Sequence, residues 1–262
     1  MQAITSVQNQ LVKKIDSLKQ KKFRNELNLF LLEGYKGVTE AIKDGLDVDC
    51  VFVQQGFGKE LPAIDEEKIF EVTEAVMKKI TSTESPPEIA ASVVQKKFSL
   101  KDFKKAKNPL IIVLEGIKDA GNLGTIIRTA CASEATGIVL LGNTVDIYNP
   151  KTVRATTANI WKIPIVQIET IAELKSEFKE CNFLVTAVDE KMKNYVYYDV
   201  DYNKPTIIAF GSEADGVTQE LLKSANSVIN IPMSQKVESL NLSISVGVVL
   251  YEALRKRKYN NG

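Results

Sequence analysis

Three polar stretches in the second half of the chain combine residue types that could do chemistry. The first, LEGIKDAGNLGTIIRTA at residues 114–130, sets two glycines around Asn122 and places Arg128 four residues beyond the second glycine. Asn122 supplies hydrogen-bond donors and acceptors, and glycine permits a close backbone approach that a side chain would block. We therefore expect a loop that receives a ligand, with Arg128 directed toward it from the following helix. The stretch matches neither GxGxxG nor a P-loop, so neither nucleotide motif explains it.

The second stretch is AFGSEADGV at 209–217, where two glycines flank Glu213. The third is INIPMSQKVESLNLSISVGVVLYEALRKRK at 229–258, in which Ser239 and Asn241 open the last predicted helix. A carboxylate at a buried strand end needs a partner. Hydroxyl and amide groups at a helix start serve either as caps or as contacts to a phosphate-bearing substrate. Taken singly, each stretch is also explained by ordinary helix-start chemistry.

The composition limits the chemistry available to these residues. The chain has no histidine, which excludes every Ser–His, Cys–His and His-metal mechanism. Cys50, Cys131 and Cys181 are widely spaced, so they predict reduced core thiols and neither a disulfide framework nor a Cys-rich metal cluster. Any catalysis must therefore use carboxylates, hydroxyls, amides, lysine or arginine, without a metal.

The sequence also favours a cytoplasmic protein. No apolar run approaches the roughly 20 residues that span a bilayer. The opening residues, MQAITSVQNQLVKK, have no apolar core of the kind that signal peptides carry. We therefore expect neither membrane insertion nor secretion.

The elements that must position the three stretches follow an alternating pattern of strands and helices. From residue 109 onward, apolar runs such as PLIIVLEG and PTIIAFG are typical of buried parallel strands with helices between them. In such a sheet, ligands bind where strands end and loops lead into helices, and the three polar stretches occupy such positions. The sequence thus predicts an α/β domain with a mostly parallel sheet over 109–262.

A smaller α/β unit is predicted over residues 1–95, with a basic linker at 96–108. Lysine-rich runs at 11–24 and 96–107, together with RKRK at 255–258, indicate surfaces that contact a polyanion, although the net charge is only +1. Nucleic acid is therefore a candidate partner.

In their order, the motifs N-L-G-x-x-x-R, G-S-E-x-x-G and I-P-M-x(6)-L-N-x-S closely resemble those of the SpoU/TrmH family, which are RNA ribose 2′-O-methyltransferases of the SPOUT class. The resemblance covers residues 109 to about 257, and the segment 146–164 also looks like the family's segment between its first two motifs. The N-terminal unit is similar in pattern to the L30e-like RNA-binding domain that many members carry. The resemblance implies S-adenosylmethionine as cofactor, a trefoil knot in the C-terminal domain and a homodimer through that domain.

The resemblance also implies a role for each matching residue. The catalytic positions would be Asn122, Arg128, Glu213 and Asn241. The cofactor positions would be Gly211, Ile231, Met233, Ser239 and Leu240. The basic residues expected to contact RNA are Lys21, Lys22, Arg24 and Arg154. Arg128 would either accept the proton of the ribose hydroxyl in a dry pocket, or clamp the target phosphate while the proton leaves through Glu213 or water.

The sequence departs from the family pattern at a few positions. Ala120 stands where the family usually has proline, Ala214 where glycine is common, and RATTAN at 154–159 replaces the more usual Arg-Ala-Ser-x-Gly-Ala. These departures bear on substrate geometry rather than on the chemistry.

The expected reaction is methyl transfer to a ribose 2′-hydroxyl in 23S ribosomal RNA. The alternatives are a transfer-RNA methyltransferase and a non-catalytic RNA- or ribosome-binding protein on the same fold. A nicotinamide-dependent oxidoreductase with Asp146 as the ribose-binding acid is disfavoured, because GxGxxG is missing.

Overall fold

The computed structural model describes residues 1–187, 194–212 and 214–259. Its helices are α1 (Gln10–Ser17), α2 (Lys21–Leu27), α3 (Tyr35–Lys43), α4 (Glu74–Ile80), α5 (Leu100–Phe103), α6 (Ala120–Ala132), α7 (Pro150–Ala155), α8 (Ile171–Glu177), α9 (Gln219–Ser224) and α10 (Leu242–Tyr259). Its strands are β1 (Gln2–Ile4), β2 (Leu29–Glu33), β3 (Val48–Gln54), β4 (Ile69–Val72), β5 (Ile89–Val94), β6 (Leu110–Glu115), β7 (Gly137–Leu141), β8 (Ile165–Ile168), β9 (Asn182–Thr186), β10 (Asn194–Val196), β11 (Thr206–Phe210) and β12 (Ser227–Asn230). Short 3-10 helices lie at Glu66–Lys68 and Tyr197–Asp199.

The contacts of the chain divide it into two compact units. The first comprises Met1–Lys96 and Asp146–Ala158, and the second comprises Lys97–Val145 and Asn159–Gly262. This division departs from the expected boundaries at two places. The expected linker belongs to the second unit, and a segment from the middle of the expected C-terminal domain belongs to the first.

The first unit is built on a mixed sheet in the order β1-β4-β3-β5-β2. Strand β4 pairs in parallel with β1 and β3, whereas β5 pairs antiparallel with β3 and β2. Helices α1 and α4 bury Val12, Ile15, Val76 and Ile80 in one hydrophobic cluster with strand residues. Each such fully buried side chain stabilises the fold by about 1.5–3 kcal/mol. Thr73 caps α4, because its hydroxyl oxygen accepts from the Val76 amide at 3.3 Å.

The segment 146–158 joins the first unit through a buried ion pair. Arg24 is 2% exposed, and its Nε donates to Asp146 Oδ2 at 2.9 Å while its Nη1 donates to the Leu18 carbonyl at 2.7 Å. Phe30 and Tyr148 add a ring contact with centroids 4.8 Å apart. Asp146 is thus committed to an arginine, which argues against its role as the ribose-binding acid of a nicotinamide enzyme.

The segment 96–108 is a packed part of the second unit rather than a simple linker. A reciprocal capping box between Ser99 and Asp102 starts α5. Phe103 on this helix is fully buried in the core of the second unit. Its ring lies so close to Gly137 that a Cβ there would come within 2.3 Å of it. The aromatic residue therefore fixes the segment to the start of β7.

In the described part of the second unit, seven strands form a parallel sheet in the order β10-β12-β9-β11-β6-β7-β8. The two central strands, β6 and β11, carry the apolar runs that the sequence assigns to buried parallel strands. Because all strands run the same way, their carboxyl ends meet at one edge of the sheet. The loops from β6, β9, β11 and β12 therefore emerge together.

The thiols are only partly as expected. Cys50 is buried, whereas Cys131 and Cys181 are half-buried, and all three are free cysteines. Burial raises the pKa of Cys50 and of Cys131 to about 11. Among the described residues, no helix combines the length and apolar character that crossing a bilayer requires.

Candidate active site

A pocket of about 280 Å³ opens at the carboxyl edge of the second unit's sheet. Thr186, Phe210 and Asn230, the last residues of β9, β11 and β12, all line it. The five residues predicted to contact the cofactor also line it: Gly211, Ile231, Met233, Ser239 and Leu240. The structure thus brings together residues that lie up to 29 positions apart in the sequence.

Gly211 is required by the loop that follows it. A Cβ at this position would lie 2.1 Å from the carbonyl carbon and oxygen of Gly216 and 2.4 Å from the Val217 nitrogen. The loop folds back because Ser212 and Gly216 exchange backbone hydrogen bonds of 3.0 and 3.1 Å. The atoms that approach Gly211 closely are therefore backbone atoms of Gly216 and Val217.

Glu115, at the end of β6, accepts hydrogen bonds from Thr218, which follows the same loop. Its carboxylate accepts from the Thr218 amide at 2.8 Å and from the Thr218 hydroxyl at 2.7 Å. The Thr218 oxygen in turn accepts from the Leu221 amide and caps α9. Sequence reasoning missed Glu115, although an acid at the end of an apolar strand was the signal that could have found it.

The glycine-asparagine stretch is helix, which corrects the expectation of a loop. Helix α6 begins at Ala120, so Gly121–Gly124 lies in its first two turns. The Asp119 side chain caps the helix, because its Oδ1 accepts from the Asn122 amide at 2.7 Å. The aspartate cap thus outweighs the low helix propensity of the two glycines.

Asn122 and Asn241 are joined by a hydrogen bond, with Nδ2 of Asn241 donating to Oδ1 of Asn122 at 3.1 Å. Asn241 Oδ1 accepts from the Ser243 amide at 2.9 Å and the Ser243 hydroxyl at 2.6 Å. These donors fix which end of the Asn241 amide faces Asn122. Asn241 therefore caps α10 with its oxygen and contacts α6 with its nitrogen.

Arg128 lies elsewhere on the second unit. It is exposed on α6 and lines a separate pocket of about 560 Å³ together with Cys131 and Lys162. Arg128 and Asn122 are six positions apart. At 3.6 residues per turn, their two side chains therefore point from different sides of the helix. The structure does not bring Arg128 to the Gly211 pocket. Glu213, the remaining catalytic candidate, lies outside the described residues.

One of the four residues predicted to contact RNA, Arg24, needs correction. Lys21 and Lys22 are exposed, as a phosphate contact requires. Arg24 is buried in its pair with Asp146, so its guanidinium does not reach a surface ligand. Arg154 is exposed, lies 3.4 Å from the Glu33 carboxylate and is hydrogen-bonded to the Ser82 hydroxyl, so it stays a predicted RNA contact. A lysine-rich run thus contains one arginine that serves the fold.

The sequence model of the SpoU rRNA Methylase family matches residues 109–251, more than half of the chain. The chain belongs to this family. A second model, described as the MRM3-like substrate binding domain, matches residues 9–91. The family predicted from the three motifs is therefore confirmed.

Full-length relatives and solved structures agree with this assignment. The chain is 32% identical to an uncharacterized tRNA/rRNA methyltransferase of Synechocystis, over 97% of this chain and 94% of the relative. It is 29% identical to the 23S rRNA (guanosine(2553)-2′-O)-methyltransferase RlmP of Bacillus subtilis, over 96% and 98% of the two chains. The AdoMet-bound rRNA methyltransferase from Sinorhizobium meliloti superposes with a TM-score of 0.86 at 31% identity, over 97% of each chain. The predicted α/β fold with a mostly parallel sheet is confirmed.

The Gly211 pocket fits S-adenosylmethionine. Its apolar lining, which includes Phe210, Ile231 and Leu240, can flank an adenine ring. Its polar lining, which includes Asn230 and Ser239, supplies amide and hydroxyl groups for the ring edge and the ribose. The lining described contains no charged side chain, as expected for a site that holds a cofactor by shape and hydrogen bonds.

We expect Gly211→Ala to weaken cofactor binding at least tenfold, because the new methyl group must displace the backbone at Gly216 and Val217. Isothermal titration of S-adenosylmethionine measures the change. Gly58→Ala is the matched control, since a Cβ there meets only the Gly56 oxygen, at 4.0 Å. Cofactor affinity that is the same in Gly211→Ala as in this control would contradict the role given to Gly211.

Proposed function

We propose that the chain transfers a methyl group from S-adenosylmethionine to a ribose 2′-hydroxyl of RNA, and that the RNA is 23S ribosomal RNA. The observation that carries this proposal is the assembly of the five predicted cofactor residues around one pocket whose described lining is uncharged, with Asn122 of α6 hydrogen-bonded to Asn241 at the start of α10. The ribosomal target is supported by the similarity to the Bacillus subtilis 23S rRNA enzyme. Transfer RNA is the second candidate, since the Synechocystis relative is described as a tRNA/rRNA methyltransferase.

The chain's residues divide the work of the reaction. The bound cofactor supplies an electrophilic methyl group and leaves as the neutral thioether S-adenosylhomocysteine, and the proton of the ribose hydroxyl leaves through Glu213 or water. Asn122 and Asn241 present amide groups that orient the attacking ribose, and such positioning lowers a barrier by several kcal/mol. Arg128 serves as the phosphate clamp of the target nucleotide. The clamp is favoured over the base, because a base role requires a dry pocket and Arg128 is exposed in the single chain.

Two copies of the chain complete the site in this proposal. Ile244, Val248 and Tyr251 follow one another at i, i+4 and i+7 on α10, and Ile244 and Tyr251 are 55% and 53% exposed. Such an apolar stripe on an otherwise well-packed helix is the surface that a homodimer would cover. A dimer also offers a route by which Arg128, which lines a separate pocket, meets a cofactor bound in a partner.

The proposal also includes a trefoil knot in the C-terminal domain and a location in the cytoplasm. The strand order supports a knotted C-terminal segment, since β12 is the last strand in the chain yet lies between β10 and β9. Helix α10 then packs on α6, the first long helix of the second unit. A ribosomal substrate places the enzyme in the cytoplasm.

The reaction is tested by incubating the purified protein and S-adenosylmethionine with unmodified 23S ribosomal RNA, followed by nucleoside mass spectrometry. We expect a 2′-O-methylated nucleoside. We expect Arg128→Ala to lower kcat/KM by about 10- to 100-fold, the equivalent of a charge-assisted hydrogen bond of about 1.5–3 kcal/mol, with cofactor affinity unchanged.

The matched control is Lys223→Ala, which removes an exposed cation from α9 outside the described pockets. Absence of methylation on ribosomal RNA, ribosomal subunits and transfer RNA would favour a non-catalytic RNA-binding protein. Normal turnover of Arg128→Ala would remove the clamp from the mechanism.

The dimer is tested by sedimentation equilibrium. The wild-type protein should have about twice the 29.0 kDa mass of one chain. We expect Ile244→Lys to shift the mass to that of a monomer and to abolish turnover, because a charge within the stripe cannot be buried without a partner. Leu27→Lys, which changes an exposed leucine of the first unit, is the control and should remain dimeric. A wild-type monomer with full turnover would contradict a shared site.

A further inference from the structure

A groove runs between α1 and α4 of the first unit, and its charged side chains are three lysines and one aspartate. It has a volume of about 620 Å³, and we call it the lysine groove. The lining residues that matter are Gln8, Lys13, Ser17, Gln20, Lys78 and Lys79. Lys13 and Ser17 lie four positions apart and project from one side of α1, and Gln20 is the residue that precedes α2. Lys78 and Lys79 come from the last turn of α4.

The acid in this groove is already neutralised. Asp16 lies 2.7 Å from Lys79 and 2.9 Å from Lys19. Burial by itself raises the pKa of Asp16, but the bonds from the two lysines outweigh it and hold this pKa below its ordinary value. Asp16 therefore remains ionised and engaged, and it does not offset the charge of the other lysines.

Lys13 and Lys78 are left without partners. Both are exposed, and among the described residues neither side chain makes a hydrogen bond or an ion pair. The groove also contains the hydroxyl of Ser17 and the side-chain amides of Gln8 and Gln20, which can donate hydrogen bonds to an anion. The groove thus offers two unpaired ammonium groups and neutral donors, which is a suitable surface for phosphates.

The positive surface continues along the chain. Gln20, at one end of the groove, is followed directly by Lys21 and Lys22 at the start of α2. Lys21 is exposed and has no partner among the described residues, and Lys22 is only 3.9 Å from Glu26 in an exposed pair. Exposed pairs of this kind contribute little and are readily exchanged for a phosphate.

We infer that the lysine groove binds the phosphate backbone of the substrate RNA, with Lys13 and Lys78 each contacting a phosphate. The inference rests on the proposed function, because it assigns the RNA of that reaction to one face of the first unit. The cofactor pocket contrasts with it, since no charged side chain lines that pocket among the residues that the structure describes. Affinity for RNA would thus come largely from a surface that carries none of the reaction's chemistry.

The test removes two charges in a matched pair of double variants. Lys13→Gln/Lys78→Gln alters the groove. Lys43→Gln/Lys223→Gln removes two exposed lysines from the last turns of α3 and α9 and serves as the control. Filter binding of unmodified 23S ribosomal RNA is measured from 50 to 300 mM KCl, and melting temperatures verify that both variants are folded.

We expect the slope of log K against log [KCl] to fall by about 1.4 to 1.8 in the groove variant, since each phosphate contact contributes about 0.7 to 0.9. If the curves converge near 1 M salt, this is roughly a 15- to 30-fold weaker affinity at 0.15 M. The KM for RNA should rise by a similar factor, while kcat and cofactor affinity stay at the control's values. A structural role alone would not change the salt slope.

The experiments distinguish a failure of the proposed methylation from a failure of the proposed RNA contact at the groove. Wild-type protein that methylates no RNA but binds it with the groove-dependent slope overturns the proposed reaction and supports the groove. Wild-type protein that methylates RNA while the groove variant matches the control in slope and KM overturns the groove. An unchanged slope with no methylation overturns both.

Discussion

The second unit depends on one asparagine side chain that serves two helices. Asn241 Oδ1 accepts from the first amides of α10, and the same amide group's Nδ2 donates to Asn122 in the first turns of α6. A cap contributes about 1 kcal/mol to a helix, and a second hydrogen bond adds a comparable amount. More important than either energy is that the two bonds use opposite ends of a planar group. The start of α10 can therefore not shift without changing the position of Asn122, and Leu240 and Leu242 on either side of Asn241 both line the cofactor pocket.

The loops that complete this pocket are held by their own backbone and by strand ends. Gly211 lets the 212–216 loop fold back on itself, and Glu115 ties Thr218 to the neighbouring strand. These contacts hold the pocket walls without placing a charge in the lining. The first unit has a different electrostatic character, with unpaired lysines on its α1–α4 face and a buried pair between Arg24 and Asp146 inside. The second unit thus carries a pocket whose described lining is uncharged, and the first unit carries cations that suit a polyanion.

Much of the fold could be predicted from the sequence, and the parts that could not have physical explanations. Apolar runs such as 48–54 correspond to strands because burial on both faces leaves a direct trace in composition. The prediction of a loop at the start of α6 was wrong, because a single cap, Asp119, outweighs two glycines that suggest a loop. The place of 146–158 could not be predicted, since a buried pair between residues 122 positions apart leaves no local pattern. Because its partner is so distant in the sequence, the buried Arg24 could not be distinguished from the exposed lysines beside it. The gathering of Gly211, Ile231 and Leu240 around one pocket was predictable because the motifs name them, whereas Glu115 contributes only through a contact to a loop 103 positions away.

The measurement that tests this account most directly separates the two bonds of Asn241. Asn241→Asp keeps an oxygen to cap α10 but removes the donor to Asn122, and Asn9→Asp makes the same change at the cap of α1 in the first unit. We predict that both variants melt within a few degrees of the wild type, and that only Asn241→Asp loses turnover on ribosomal RNA, by at least tenfold. Wild-type turnover in Asn241→Asp would contradict the account, because the bond between the two asparagines would then have no part in the reaction.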